Sequence, residues 1–463
     1  MKQQKTTPKK NPRPHRSDGL SITNQNLTAH GGLPLALHVL KALELKPLTD
    51  DLLGLRGSNR GYRHGDILTA LMVMLIKGGR CLSDVKHLHN ERQLLKRLGI
   101  KKIPGVNTLS RWLRHHGHGG VPLINQLNQK VLAITLARKQ VTEVTLDLDV
   151  TVIATDKASA TPTDQKQRGV TMRVGTLAEV NQVIAVELRP GNLSPSIDNV
   201  GFIAACQELL PSGVRLKQVR IDAAGYQHQV IDYPMRQGIE FVIRAAMNPS
   251  IAQDIGALSP PAWQPLRLHN GRLSTRQEVA RCQHTMYRSK RVFDLVVQRT
   301  RRAKRRPPGQ RTLLELFIAN MDWYDHRAIA TNINALDEAE IVYQYNQRGE
   351  HSENRIKELK SDFAGGRLPC REFAANAFYV AVCMLAFNVF ALMRHGLPAW
   401  FGRMRAPTLR QRVLGLAGKL VQHSHQWQLK LCEVDFRLLT RLLASLRDYL
   451  GDILPKMHSP LLE

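Results

Sequence analysis

Residues 144–150 of this chain read V-T-L-D-L-D-V, and this stretch decides which fold the chain can adopt. Apolar and polar side chains alternate along it, which is the pattern of a β-strand with one face toward a core. Asp147 and Asp149 stand two residues apart and therefore point to the same face. Both lie near the end of the predicted strand, so the sequence predicts a pair of carboxylates at one edge of a sheet.

The segments after this strand alternate between strand and helix patterns. Strands are predicted at residues 170–179, 182–189, 216–221 and 240–244, and helices at 196–210 and 227–237. Three strands, a helix, a strand, a helix and a strand is the order of a ribonuclease H-like α/β core. The fourth strand ends directly before Asp222. Because adjacent parallel strands end at the same edge of a sheet, Asp149 and Asp222 are expected to converge.

A second informative stretch, residues 345–360, reads Y-N-Q-R-G-E-H-S-E-N-R-I-K-E-L-K. On a helix, Glu353, Lys357 and Lys360 stand at i, i+4 and i+7 and share one face. A solvated helix with i,i+4 ion pairs gives the same pattern. A carboxylate among cationic side chains is also expected where a metal ion and a phosphodiester bind together.

Asp149, Asp222 and Glu353 would together provide three carboxylates without a thiol or an imidazole, which is the ligand set that Mg²⁺ or Mn²⁺ prefers. Two such ions can activate a water or a 3′-hydroxyl and stabilise the leaving oxygen of a phosphoryl displacement. Asp147 competes for the first position, and Asp149 is favoured because it lies nearer the strand end. A single aspartate is more often a solvated or capping carboxylate, so the prediction depends on all three positions.

Four further side chains of the second stretch are predicted to bind phosphates around the phosphodiester bond that would be cut. Arginine can grip a phosphate with a planar fork and lysine acts as a point charge. The residues are Tyr345, Arg348, Lys357 and Lys360. For Lys357 alone, an exposed helical lysine is the plain alternative.

Composition points to a nucleic-acid partner. The 463 residues carry a formal net charge of +28, with a pI near 10.3. A protein this basic is expected to bind a polyanion. The six cysteines are scattered without a C-x-x-C pair, which argues for a reducing compartment and against structural zinc or disulfides. The N-terminus has no apolar segment typical of a secretory signal.

The length predicts two or three domains. Residues 1–18 are expected to be a disordered basic tail, and 19–140 a helical DNA-binding domain. Within it, residues 103–117 (I-P-G-V-N-T-L-S-R-W-L-R-H-H-G) favour a helix-turn-helix that presents Arg111 and Arg114, although any small helical bundle can show this pattern.

The predicted catalytic core comprises residues 141–246 and 334–395, and a β-rich insertion of residues 247–333 interrupts it. Insertion strands are predicted at 277–287, 291–299 and 313–320. A basic run, 299–311, joins the last two and is predicted to track DNA phosphates. Its candidate contacts are Arg301, Arg302, Arg305 and Arg306.

Two regions complete the predicted organisation. The apolar run 374–393 is long enough to span a bilayer, but it contains two asparagines and stands alone, which favours a buried core helix. Residues 396–463 are predicted to form a C-terminal helix and hairpin region.

Four sequence pieces resemble the DDE-type transposases of bacterial insertion sequences, in the branch with a Tyr-x2-Arg-x3-Glu-x6-Lys signature. They are L-D-L-D-V-T at 146–151, R-I-D-A-A-G-Y at 220–226, A-T-N-I at 330–333, and the stretch 345–360. The resemblance covers roughly residues 140–395. It implies a metal triad of Asp149, Asp222 and Glu353, and DNA-backbone contacts by Tyr345, Arg348 and Lys360.

The resemblance also implies cut-and-paste transposition, with strand nicking and strand transfer. It implies double-stranded DNA as partner, both terminal inverted repeats and target DNA, and a homodimer in a synaptic complex. Such a bacterial protein is expected in the cytoplasm, associated with the nucleoid and not with a membrane. In relatives a tryptophan of the insertion can stack on a flipped base. Trp323 is the candidate, although a packed hairpin tryptophan is the more ordinary interpretation.

The spacing between Arg348 and Glu353 departs from the signature. Four residues separate the two, where the pattern has three. Gly349 is predicted to end one helix and Ser352 to cap the next, and a looser turn at Gly349 would absorb the extra residue. Choosing Glu350 instead would leave E-N-R-I-K-E-L-K out of register.

Two other functions fit parts of the sequence. A non-catalytic DNA-binding protein, either a regulator or a decayed transposase, would use only the N-terminal helices. A ribonuclease H-like nuclease would act on junctions or hybrids. The complete set of three carboxylates argues against the first, and the large insertion and basic N-terminal helices argue against the second.

Overall fold

The structure is a computed structural model that describes residues 26–54, 61–289, 291–304, 323–423 and 426–451, without the side chains of 350, 351, 423 and 426. Within these ranges the protein is a mixed α/β structure. A ten-stranded mixed sheet lies at its centre, and a separate three-stranded sheet joins the two ends of the described chain. This confirms the predicted α/β class.

The N-terminal part is helical, as predicted. After strand β1 (Asn26–Thr28) come α1 (Leu33–Ala42), α2 (Leu45–Leu53), α3 (His64–Ile76), α4 (Lys86–Asn90), α5 (Arg92–Arg97), α6 (Val106–His116) and α7 (Val121–Arg138). Their apolar faces, together with α12 (Phe373–His395), form one continuous hydrophobic core that reaches one face of the main sheet. The predicted boundary at residue 140 stays a prediction.

The first strands of the main sheet follow in the predicted order, with the short β3 as an unpredicted addition. They are β2 (Glu143–Ala154), β3 (Thr161–Pro162), β4 (Arg168–Leu177), β5 (Gln182–Pro190), β6 (Arg215–Ile221) and β7 (Glu240–Ala245). Helix α8 (Asn199–Glu208) leads into β6, and α9 (His228–Gln237) leads into β7. β2 lies between antiparallel β4 and parallel β6, and β7 continues the parallel part beside β6.

The strands predicted for the insertion extend this same sheet. After α10 (Pro249–Gly256) come β8 (Gln264–Arg267), β9 (Leu273–Thr285), β10 (Val292–Arg301) and β11 (Tyr324–Thr331). β11 pairs antiparallel with both β7 and β10, so it joins the two halves. The sequence pattern predicted neither β8 nor β11, and the strand predicted at 313–320 lies outside the described residues.

Helices cover both faces of the sheet. Alternate residues of β2 divide between the faces: Leu146 and Leu148 pack in the core beneath α8 and α9, and Asp147 and Asp149 point the other way. That second face carries α11 (Glu338–Lys357), whose residues contact β2, β7 and β11. The two aspartates therefore lie on the face of the sheet that α11 covers.

α12 is the one helix among the described residues that is long and apolar enough to cross a membrane, and its most apolar stretch is wholly buried inside the protein. The prediction of a core helix is confirmed. Asn388 anchors it to β5: its Nδ2 donates to the Val183 carbonyl (2.6 Å) and to Asn128 Oδ1 (2.6 Å), and its Oδ1 accepts from the Val183 amide (2.9 Å).

The C-terminal region contains helices and a hairpin, as predicted. It comprises α13 (Ala399–Gly402), α14 (Ala406–Leu409), β12 (Gly418–His423), β13 (Gln426–Leu431) and α15 (Glu433–Leu450). β12 pairs with β13 as the predicted hairpin and also with β1.

Candidate active site

Two aspartates occupy equivalent positions on adjacent parallel strands. The parallel pairing of β2 with β6 ends at Leu148 and Ile221, which lie directly opposite each other. The next residue on each strand is a carboxylate, Asp149 and Asp222. The predicted convergence therefore has a simple cause in the register. One expectation needs correction: β2 does not end near Asp149 but continues to Ala154, paired with β4 alone.

The residues after β6 hold Asp222 in place. Its Oδ1 accepts a hydrogen bond from the Ala224 amide (3.0 Å), which caps a short 3-10 turn. This turn folds back so closely that a Cβ on Gly225 would lie 2.5 Å from Cγ2 of Ile221. The motif R-I-D-A-A-G-Y thus provides both the carboxylate and the glycine that its turn requires.

Glu353 lies on α11, which runs unbroken from Glu338 to Lys357. The predicted helix end at Gly349 and N-cap at Ser352 were wrong, since Ser352 is buried in mid-helix. The helix begins instead at a capping box, in which Asp337 accepts from the Glu340 amide (2.8 Å) and Glu340 accepts from the Asp337 amide (3.0 Å). No loosened turn absorbs the extra residue of the signature.

Arg348 lies between α11 and the end of the parallel pairing. Its Nη1 is 3.5 Å from Oδ2 of Asp149 and 3.4 Å from the carbonyl oxygen of Leu148. Its guanidinium also lies 5.7 Å from the centre of the Tyr345 ring. The side chain is buried, so its charge acts at short range and with little screening by water. Arg348 is the counter-ion of the carboxylates.

Two of the predicted carboxylates act on the third, Asp149. Burial raises the pKa of Asp149 to about 6; the charge of Arg348 opposes this increase, and the charges of Asp222 and Glu353 add to it. Asp149 is thus an acid whose ionised form is disfavoured by its surroundings, with two like charges close enough to act on it. Such an arrangement is typical of a site that binds a cation.

Asp147 faces the same side as Asp149 but has a different role. It is fully buried, and both of its oxygens accept from Arg220, at 2.6 and 2.8 Å from Nε and Nη2. Nη1 of Arg220 donates in turn to the Gln344 carbonyl of α11 (2.9 Å). Asp147 and Arg220 therefore dock the helix on the sheet, and both oxygens of Asp147 are engaged by a buried guanidinium. Of the two alternatives, the geometry favours Asp149.

A cleft of about 350 Å³ opens beside Asp149 and Glu353. Lys357 and Lys360 also line it, so both predicted lysines lie at the same opening as the carboxylates. Lys360 is anchored there, since its Nζ donates to Thr151 Oγ1 (3.0 Å) and to the Val152 carbonyl (2.8 Å). Lys357 is exposed at the rim. The cleft thus combines acidic and cationic groups, as a site for a metal-bound phosphate requires.

The donor chemistry of the three carboxylates fits a hard divalent cation. Asp149 and Asp222 each use one oxygen to accept a backbone amide, and each keeps another outside any hydrogen bond. Glu353 is exposed, with no hydrogen bond or ion pair from other described residues. Among the side chains described, no three acidic, histidine or cysteine residues are already close enough to hold an ion. Binding would therefore draw the carboxylates together around it.

The remaining predicted DNA contacts lie apart from this cleft. Arg111 and Arg114 are exposed on α6, whose opposite face buries Leu109, Trp112 and Leu113. Arg301 is exposed at the end of β10, whereas Arg302 is paired with Asp325. Arg305 and Arg306 lie outside the described residues. Trp323 is 39% exposed, and both its base-stacking role and the packed alternative stay predictions.

Two residues with structural roles were missed by sequence reasoning. Asn332, within the motif A-T-N-I, accepts from the Phe241 amide (2.8 Å) and donates to the Ile239 carbonyl (2.9 Å), which fixes β11 beside β7. Glu358, next to Lys357, is buried and paired with Arg394 (2.8 Å) and Arg355 (3.0 Å). No sequence signal distinguishes Glu358 from an exposed helical glutamate.

The chain was compared with solved structures, curated proteins and protein families. A solved structure, the cryo-EM structure of the piggyBac transposase synaptic complex with hairpin DNA, is similar with a TM-score of 0.42 and 10% identity, over 94% of this chain and 87% of that one. A similarity this coarse supports no conclusion about function. No curated protein matches the sequence. The family described as Transposase DDE domain group 1 matches residues 19–449, and the chain therefore belongs to this family of DDE transposases.

Proposed function

We propose that this protein is a cut-and-paste transposase that cleaves and joins DNA at the ends of a bacterial insertion sequence. In this proposal Asp149, Asp222 and Glu353 hold two Mg²⁺ or Mn²⁺ ions. The observation that carries it is the register of β2 and β6, which places Asp149 and Asp222 side by side at the end of their pairing, with Glu353 close enough to act on the pKa of Asp149. Family membership alone supports a transposase function.

The order of the sheet supports a ribonuclease H-like core. Strands β5, β4, β2, β6 and β7 are neighbours in that order, with the first three antiparallel and the last three parallel. In such a sheet, side chains at the carboxyl ends of the parallel strands form the usual site for a ligand. We assign residues 141–246 and 334–395 to this core and 247–333 to the insertion that extends it.

The chain's own residues would bind and orient the scissile phosphate. The metal ions would supply activation of the attacking water or 3′-hydroxyl and stabilisation of the leaving oxygen. Arg348 offsets the negative charge of Asp149, and its planar guanidinium could also bind a phosphate oxygen. Lys360, fixed on β2, and Lys357 at the rim place positive charge where the DNA backbone enters. Tyr345 lies on the helix turn before Arg348.

The wider surface is assigned to double-stranded DNA. Arg111 and Arg114 of α6 project from the helical N-terminal region, which we propose binds the terminal inverted repeats. Arg301, within the basic run, and the exposed Trp323, which follows it in sequence, would contact DNA at the insertion. We further propose a homodimer in the synaptic complex and a cytoplasmic, nucleoid-associated protein.

The test is cleavage of DNA that carries the element's own ends. With Mg²⁺ the purified protein should nick and join such a fragment, and Asp222→Asn should bind it equally well and cut it at least roughly a thousand-fold more slowly. Asp164→Asn, which changes an exposed aspartate in the same way, should cut at the wild-type rate. Undiminished cutting by Asp222→Asn would refute the assignment of the metal site. Binding without any cutting by the wild-type protein would favour a regulator or a decayed transposase.

A further inference from the structure

A second pocket adjoins the catalytic cleft. It lies between the end of α11, the C-terminal half of α12 and the segment after α13, and its volume is about 450 Å³. Lys357 lines both the pocket and the cleft. The charged residues of its lining are Arg355, Lys357, Glu358, Arg394, Arg403 and Arg405.

The carboxylate in this lining is fully engaged. Oε1 of Glu358 accepts from Arg394 (2.8 Å) and from the Ala406 amide (3.2 Å), and Oε2 accepts from Arg355 (3.0 Å). Outside the lining, Asp362 also pairs with Arg405, at 3.4 Å. Five cationic side chains therefore surround the pocket, and the nearby acids neutralise only part of their charge.

Several cationic groups of the pocket lack partners. Nε of Arg355 is buried and has no hydrogen-bond partner. Within the described part of the chain, neither Arg403 nor Lys357 has a side-chain hydrogen bond or ion pair. These like charges surround one pocket, and an anion bound there would offset their mutual repulsion.

The ligand that this lining recognises is an anion with several oxygens. A pocket for an uncharged small molecule is lined mainly by apolar and aromatic side chains, which is not the case here. Guanidinium groups bind phosphate oxygens through paired donors, and DNA presents phosphates at regular intervals along each strand.

We infer that this pocket binds backbone phosphates of the same DNA strand that enters the catalytic cleft, a few nucleotides away from the cut. Lys357 supports this choice because it lines both the pocket and the cleft. If one phosphate of a DNA strand lies at the cleft, the next phosphates of that strand would lie beside Lys357 and then near Arg403 and Arg405. The inference rests on the proposed function, because the ligand is the DNA that the transposase cuts.

The experiment uses the double variant Arg403→Gln/Arg405→Gln, since both side chains are exposed and their replacement should not disturb folding. The control, Arg437→Gln/Arg441→Gln, removes two exposed charges from α15 and leaves the pocket intact. Affinity for DNA that carries one element end is measured at several salt concentrations. A second series lengthens the duplex by one nucleotide at a time on either side of the cut.

The pocket variant should lower the slope of log affinity against log salt by about 0.9 for each phosphate that it no longer neutralises, and the control should not. In the wild-type protein, affinity should rise as the duplex is lengthened on the side of the cut that reaches the pocket. The pocket variant should lose this rise and should keep any rise from lengthening the other side. Arg403→Lys/Arg405→Lys should restore both. An unchanged slope and an unchanged length dependence, in a wild-type protein that does cut DNA, would overturn the inference and leave the proposed function standing. So would a pocket variant that binds DNA normally and fails only to bind a free nucleotide.

Discussion

Replacing Asp149 with asparagine should stabilise the metal-free protein at neutral pH, although it abolishes the proposed chemistry. The ionised carboxylate is buried beside two like charges, and Arg348 offsets this only in part, so the pKa of Asp149 is raised to about 6. Asparagine keeps the shape of the side chain without its charge. The change therefore removes an unfavourable ionisation from the folded state.

The size of the effect follows from the pKa values in the two states. The ordinary pKa of the carboxyl is 3.8 and the folded value is about 6, a difference of about two units. Each unit corresponds to about 1.4 kcal/mol, so the ionised form costs about 3 kcal/mol in the folded protein. Below pH 3.8 the carboxyl is protonated in both states and the cost is absent. As the pH rises from about 4 to about 6, only the unfolded chain loses the proton, and wild-type stability falls relative to the variant.

The assay is urea unfolding of wild type and Asp149→Asn, with a chelator, at intervals from about pH 4 to about pH 8. The variant should equal wild type near pH 4 and exceed it by up to about 3 kcal/mol in free energy of unfolding at about pH 7. Asp164→Asn, at an exposed position, should follow wild type throughout. If Asp149→Asn proved less stable than wild type at neutral pH, the proposed electrostatic conflict among the carboxylates would be wrong.

Two further predictions concern residues that support the site. Glu358→Gln leaves Arg394 and Arg355 without their buried counter-charge and should cost about 3–5 kcal/mol of unfolding free energy. The control Glu433→Gln, in the exposed pair with Arg437, should cost less than about 1 kcal/mol. Equal urea midpoints for the two variants would contradict this prediction. Asn388→Leu removes the acceptor of the Val183 amide and the donor to Oδ1 of Asn128, and should cost about 2–5 kcal/mol. Asn128→Leu/Asn388→Leu should cost less than the sum of the single changes, as a double-mutant cycle would measure, and strict additivity would show that the two asparagines are not coupled.

The positions of Asp149 and Asp222 could be predicted because they depend on local pattern and on a general property of parallel strands. A period of two identified β2, and an abrupt strand end identified Asp222. The role of Arg348 could not be predicted in the same way. Its contact with Asp149 arises because α11 crosses the sheet at the end of the β2–β6 pairing, and nothing near Arg348 in sequence encodes that packing.

Local signals were also overruled by packing. A glycine inside a helix, such as Gly349, costs about 1 kcal/mol of helix stability. The contacts of α11 with several strands and the capping box at its start offset this cost, so the helix continues past Gly349. β11 was missed because its sequence, Y-D-H-R-A-I-A-T, alternates weakly, and its pairing with β7 and β10 makes it a strand. The sequence argument for Asp149 over Asp147 used a strand end that β2 does not have there; what separates the two is Arg220, which lies directly opposite Asp147 in register and pairs with it.

The central claim is that Asp149, Asp222 and Glu353 jointly hold the divalent cations. Anomalous diffraction from crystals of the protein bound to its DNA and soaked in Mn²⁺ tests this most directly. We predict Mn²⁺ peaks coordinated by oxygens of both Asp149 and Asp222, with Glu353 drawn in to complete the site. Ions bound elsewhere, or the three carboxylates still apart in the presence of DNA and metal, would contradict it.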